Sequence, residues 1–139
     1  MRRRKGQYEV IEHVLLFGLG LAIASGFLMA FQSFGNQVEK QTKVRQAKLL
    51  GEVIGSHVTH LRSTDSTGRL SFSLPASIAN RDYRVEFVEQ GVQVWVGTES
   101  YTVPLSGAGE RYNLSGSVTN DFATAVIIKR GSQFNITGQ

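Results

Sequence analysis

The chain divides by the spacing of its apolar residues. From Val14 to Phe31 no charge interrupts an apolar run, and about 18 such residues reach the lower limit for spanning a bilayer. Beyond Gln32-Ser33-Phe34-Gly35-Asn36 the apolar positions become periodic: Phe34, Val38, Ala47, Leu50, Ile54 and Leu61. Glu39, Lys40, Lys43, Arg45, Gln46, Lys48 and Glu52 fill the positions between. Steps near three and four place those apolar residues along one stripe of a helix. No proline occurs before Pro75. The pattern predicts one long helix, roughly Glu9 to Leu61, with Gly35-Asn36 as a kink or short break. It is apolar all round in its first half (14–31) and amphipathic in its second (34–61).

After the turn-rich stretch Ser63-Thr64-Asp65-Ser66-Thr67-Gly68 the period changes from helix to strand. Leu70, Phe72 and Leu74 alternate with serines. Tyr83, Val85 and Phe87 alternate with Arg84 and Glu86; Val92, Val94 and Val96 alternate with Gln93 and Trp95; Tyr101, Val103 and Leu105 alternate with Thr102 and Pro104. A period of two means one buried and one wet face. Glu89-Gln90-Gly91 reads as a hairpin turn. Pro104 marks an edge strand, because it cannot donate to a ladder. Ala125-Val126-Ile127-Ile128 is a continuous apolar run, expected as a strand buried on both faces. Arg130-Gly131-Ser132 then turns into Phe134-Asn135-Ile136, a final hairpin. The expected class is α+β: a long N-terminal helix whose amphipathic half packs on a small antiparallel β-sheet or sandwich. The expected divisions are a stub over 1–6, the helix over 7–61, a linker over 62–69 and a β-rich head over 70–139.

Charge changes this picture only at the N-terminus. The 139 residues carry 15 cations and 11 carboxylates, a net charge of +4. Without Arg2, Arg3, Arg4 and Lys5 the cations fall to 11 and the balance is neutral. The basic pI of 9.7 therefore belongs largely to the stub, and a nucleic-acid partner is not expected, since such a partner needs a basic patch on the folded domain. No cysteine is present, so disulfides cannot support the head. An ordinary secretory signal is cut after its apolar segment. Here the small residue beside the cations, Gly6, precedes the apolar segment, so a cut there leaves the helix on the mature chain.

Lys5-Gly6-Gln7 and the apolar helix that follows resemble the type IV pilin superfamily, in particular archaeal proteins with class III signal peptides. Leu74-Pro75, Ile78 and Tyr83-Arg84-Val85 are similar to the "L-P-x-x-I…Y-x-V" stretch of many archaeal pilin-like proteins. The two segments cover somewhat under half of the chain. The resemblance implies cleavage between Gly6 and Gln7 by a prepilin peptidase, assembly on a pilus platform, and a filament of many copies. The family often has glutamate at the fifth mature position; here that position is Ile11, and the carboxylates fall at Glu9 and Glu12. In pilins a glutamate pairs with the free amine of a neighbouring subunit. Glu12, nearer the apolar run, is the expected partner of the new amine on Gln7. Glu9 has the simpler account of a carboxylate at a helix start, where the helix dipole favours negative charge.

Gly18, Ala22, Gly26 and Ala30 recur every fourth position. Small residues at that spacing let helices approach closely in lipid, where packing drives association. Gly18-Leu19-Gly20 is not a dinucleotide fingerprint, because no strand precedes it and Ile23 stands where the third glycine is needed. His57 and His60 lie one helical turn apart, but no third ligand completes a metal site, and a solvated or stacked pair is expected. No G-x-S-x-G elbow or nucleophilic triad is present. Neither a cofactor nor a catalytic residue is expected. Asn113-Leu114-Ser115 and Asn135-Ile136-Thr137 match the N-glycosylation sequon.

The sequence thus points to a structural, non-enzymatic filament subunit, held in the bilayer by one helix before assembly, head outside the cell, with adhesion as a further role. The alternative is a membrane-anchored, pseudopilin-like accessory or stator protein of an archaellum or pilus machine.

Overall fold

The computed structural model describes residues 3–64 and 67–139, with side chains from residue 8 onward. It contains one helix, α1 (Arg3–Arg62), followed by β1 (Thr67–Ser73), β2 (Tyr83–Val88), β3 (Gly91–Val96), β4 (Glu99–Pro104), β5 (Asn113–Thr119), β6 (Thr124–Arg130) and β7 (Gln133–Gly138). The chain falls into two compact units, Met1–Lys40 and Gln41–Gln139.

In the second unit, residues 41–62 of α1 lie on one face of a seven-stranded sheet of order β1-β6-β7-β5-β2-β3-β4. Of the expected stripe, Ala47, Leu50, Ile54 and Leu61 are buried and Val58, on the same face, joins them, whereas Phe34 and Val38 are exposed. They meet Tyr83, Val85 and Phe87 of β2, Val92, Val94 and Val96 of β3, Ala125 and Ile127 of β6, and Phe134 and Ile136 of β7. Leu50, Ile54, Val58 and Leu61 each contribute about 1.5–3 kcal/mol by leaving water. Pro104 closes β4, which forms one edge of the sheet. Ala125, Val126 and Ile127 are fully buried although successive side chains point to opposite faces. The β2–β3 and β6–β7 hairpins turn through Glu89-Gln90 and Gly131-Ser132.

Two features differ from the pattern reading. β1 begins at Thr67, so the connection after Arg62 is shorter than 62–69; its residues 65–66 lie outside the described ones. The sheet is also mixed, because β5 pairs parallel with β7. β5 had no signal: its apolar residues, Leu114 and Val118, stand four apart, with Gly116 between serines. Gly116 sits at φ 98° where the strand changes partner. Asn113–Gly116 pair with β7, and Ser117–Thr119 pair antiparallel with β2. A glycine there lets the strand change partner, and with no side chain it breaks the period of two.

Lys129 projects from β6 toward the end of α1 and is only 7 % exposed. Its Nζ donates to the carbonyls of Arg62 at 3.4 Å and Thr64 at 2.5 Å. A cation here satisfies carbonyls that the helix end leaves unpaired and complements its dipole.

Candidate assembly segment and head surface

The first unit is an exposed helix. Val14, Leu15, Leu16, Phe17, Leu19, Leu21, Ile23, Phe27, Leu28, Met29 and Phe31 are all more than half exposed. No part of its most apolar window is buried within the chain. The helix is long and apolar enough to cross a membrane. Ser25, the one hydroxyl between Val14 and Phe31, donates to the Leu21 carbonyl at 2.8 Å, so it brings no unpaired donor into an apolar medium.

Gly18, Ala22, Gly26 and Ala30 lie on successive turns of this helix, about 6 Å apart along the axis. A Cβ added at Gly18 or Gly26 meets nothing within 4 Å, so these glycines do not serve packing inside the chain. Glu12 lies beside the exposed side chains of Tyr8, Ile11, Leu15, Leu16 and Leu19 on one face of the helix. Among the described residues its carboxylate has no partner. Glu9 contributes its backbone carbonyl, 2.7 Å from His13 Nδ1. Side chains at the Gly6–Gln7 junction lie outside the described residues.

In the second unit the segment resembling "L-P-x-x-I…Y-x-V" is a fastened turn. Leu74, Ile78, Tyr83 and Val85 are buried. The Tyr83 hydroxyl donates to the Pro75 carbonyl at 2.6 Å. Ile78 and Arg81 exchange backbone hydrogen bonds at 3.0 Å around Ala79 and Asn80, both at positive φ. Asn120 then fastens the loop to the sheet. Its Nδ2 donates to the Ala76 carbonyl and to Asp82 Oδ1, each at 3.0 Å, and its Oδ1 accepts from the Tyr83 N–H at 3.2 Å. Nothing in the local pattern singled out Asn120.

Asn113 and Asn135 are exposed on neighbouring strands, and their sequons interlock. Ser115 pairs in register with Asn135, and Asn135 Nδ2 donates to Ser115 Oγ at 3.1 Å. His57 lies over Phe72 with ring centroids 5.0 Å apart, while His60 is exposed. Among the described residues, no three His, Asp or Glu side chains are grouped to hold a metal ion.

Gly51 and Gly55 escaped the pattern reading although the four-residue spacing of small residues was visible there too. They bring α1 against β4 and the residue after it. A Cβ at Gly51 would stand 2.6 Å from Val103 Cγ2, and one at Gly55 would stand 2.8 Å from Leu105 Cδ2. Lys43, one face away, pairs with Glu99 of β4 at 2.8 Å, and Glu99 accepts from the Tyr101 hydroxyl at 2.5 Å.

Comparison with known protein families, with curated proteins and with solved structures finds no match to this chain.

Proposed function

We propose that this chain is a structural subunit of an archaeal type IV pilus-like filament. A prepilin peptidase removes residues 1–6, the apolar helix holds the chain in the bilayer, and an assembly platform transfers it into a polymer. In that polymer the helices of many copies form the core and the sheets face outward. The work is mechanical, with adhesion as its outcome, and no substrate is transformed.

The observation that carries this reading is the contrast along α1. Residues 47–61 bury one stripe under the sheet, whereas Val14–Phe31 bury nothing within the chain. An apolar surface of this extent needs lipid or other copies of itself to cover it. The open faces at Gly18 and Gly26 support close helix-to-helix contact. Glu12, unpaired among apolar neighbours, suits a partner amine from a second copy, here the amine freed on Gln7. The exposure of Asn113 and Asn135 supports glycans on the outer surface.

The test is sheared surface material, viewed by electron microscopy and identified by mass spectrometry, with the N-terminus sequenced. The reading expects filaments whose main band begins at Gln7. A chain that stays wholly in the membrane fraction would favour the anchored accessory protein, and one that begins at Met1 or beyond Phe31 would remove the prepilin reading. Replacing Gly18, Ala22 and Gly26 together with leucine should leave insertion intact, because leucine is more apolar, yet abolish filaments. Glu12→Gln should impair assembly more than Glu9→Gln, since an unpaired buried charge costs about 3–5 kcal/mol and a helix-start carboxylate in water contributes only about 0.3–1 kcal/mol.

A further inference from the structure

The face of the sheet turned away from α1 carries a cleft of 320 Å³ lined by Asp82, Arg84, Trp95, Thr119, Asn120 and Asp121. Strand register builds its floor. Arg84 of β2 pairs with Thr119 of β5 on one side and Trp95 of β3 on the other, so the three side chains stand in one row. Asn120 and Thr119 hold its carboxylates by one oxygen each. Asn120 Nδ2 donates to Asp82 Oδ1 at 3.0 Å, and Thr119 Oγ1 donates to Asp121 Oδ2 at 2.8 Å. Asp82 Oδ2 and Asp121 Oδ1 have no donor among the described residues. The Trp95 indole is half-buried, and its Nε1–H, shielded from water, has no acceptor among the described residues. The Arg84 guanidinium lies 5.9 Å from the Trp95 ring centroid and reaches Glu86 at 3.5 Å.

We propose that this cleft binds a neutral saccharide. It offers three things together: carboxylate oxygens that only accept, guanidinium N–H groups that only donate, and an aromatic surface. A sugar hydroxyl both donates and accepts, so one ring can engage both carboxylates and supply an acceptor to a donor. The C–H face of a pyranose is apolar and suits an indole wall. A cationic ligand would be repelled by the Arg84 guanidinium, 5.9 Å from the Trp95 ring centroid. An anionic ligand would meet two carboxylates. The volume stands at the lower end of small-molecule sites, about 300–1,000 Å³, which fits one or two sugar rings. The cleft lies within the 41–139 unit, and its ligand class does not depend on whether the chain polymerises.

Trp95 is the single tryptophan of the chain, so its emission reads the cleft directly. The full chain, held in micelles of a polyoxyethylene detergent without sugar headgroups, is titrated separately with glucose, galactose, mannose and N-acetylglucosamine. Choline chloride and sodium sulfate serve as the cationic and anionic probes. The expected result is a saturable change in emission with at least one sugar, with the midpoint raised about tenfold or more in Asp82→Asn and Asp121→Asn, the loss of roughly one charged hydrogen bond. Acrylamide quenching of wild-type Trp95 should fall in the presence of that sugar, a readout that stands even where a variant does not fold. No saturable change with any of the four sugars overturns the proposal. So does saturation by choline or sulfate alone, an affinity unchanged in folded forms of both variants, or unaltered quenching.

Discussion

Two tyrosines in the head hold their phenol protons above the ordinary range. Tyr83 is 3 % exposed, and burial pushes its phenol up to about 12 from the ordinary 10. Its hydroxyl donates to the Pro75 carbonyl, a bond only the neutral form makes. Tyr101 is likewise pushed up to about 12, first by burial and then by its hydrogen bond to Glu99 and that carboxylate's charge. Both folded values exceed the unfolded one. Between pH 10 and about 12 the unfolded chain has released protons that the folded chain still holds. The stability these phenols contribute is therefore complete below pH 10 and falls as the pH rises toward 12. Denaturation midpoints should drop across that window. Tyr83→Phe should make the drop shallower, because one of the two titrations is gone, while lowering stability at neutral pH by about 0.5–1.5 kcal/mol through the orphaned Pro75 carbonyl. Every other titratable group is common to both proteins, so the difference between the two curves isolates Tyr83. Equal slopes would mean that the Tyr83 phenol ionises equally well in both states.

Elements with a clean period were legible in the sequence, and elements governed by close approach were not. Leu50, Ile54 and Leu61 announced the packed stripe of α1; Val85, Val94 and their alternating neighbours announced β2 and β3; Pro104 announced the edge. β5 was silent because Gly116 interrupts its alternation where the strand exchanges β7 for β2. The parallel pairing that follows depends on a partner distant in sequence, which no local window contains. Gly116→Ala should be severe. It forces a side chain into φ 98° and drives a Cβ into the Ile136 carbonyl oxygen. Backbone oxygen in a paired strand cannot yield, so a loss of roughly 3 kcal/mol or more is expected in chemical denaturation. Gly51→Ala tests the helix–sheet contact. Alanine gains about 1 kcal/mol of helix propensity, but its Cβ meets Val103, a stiff side chain, and overpacking costs about 1–3 kcal/mol. Net destabilisation is expected at Gly51. Gly55→Ala should be milder, because its neighbour is the far end of Leu105. Val103→Ala should cost less in the Gly51→Ala background than in wild type. Additive effects would show that the two positions do not press on each other.

At the scale of the molecule, α1 has two halves of different pattern, and their division is the largest thing the sequence made visible. The apolar residues of the first half have no polar face to turn toward water, whereas the second half alternates along one stripe. What the pattern left unstated is how firmly the second half is tied down. Lys129 reaches the carbonyls of Arg62 and Thr64, Arg62 donates to the Ser106 carbonyl at 3.1 Å, and Lys43 pairs with Glu99. These contacts join residues more than forty positions apart, beyond the reach of periodicity. They make residues 41–62 part of the head's core. A fragment beginning at Gln41 should therefore fold without the apolar segment and melt cooperatively. A fragment beginning at Ser63 loses the burial of Leu50, Ile54, Val58 and Leu61, together about 6–12 kcal/mol at about 1.5–3 kcal/mol each. That is as large as the whole stability of a typical domain, about 5–15 kcal/mol. It also uncovers Val85, Val94 and Ile127 on the face the helix had covered. The shorter fragment should show no cooperative transition by circular dichroism and should aggregate through that face. Melting of the two fragments at the same temperature would mean that the sheet is stable by itself and that the Leu50–Leu61 stripe contributes little to holding the head together.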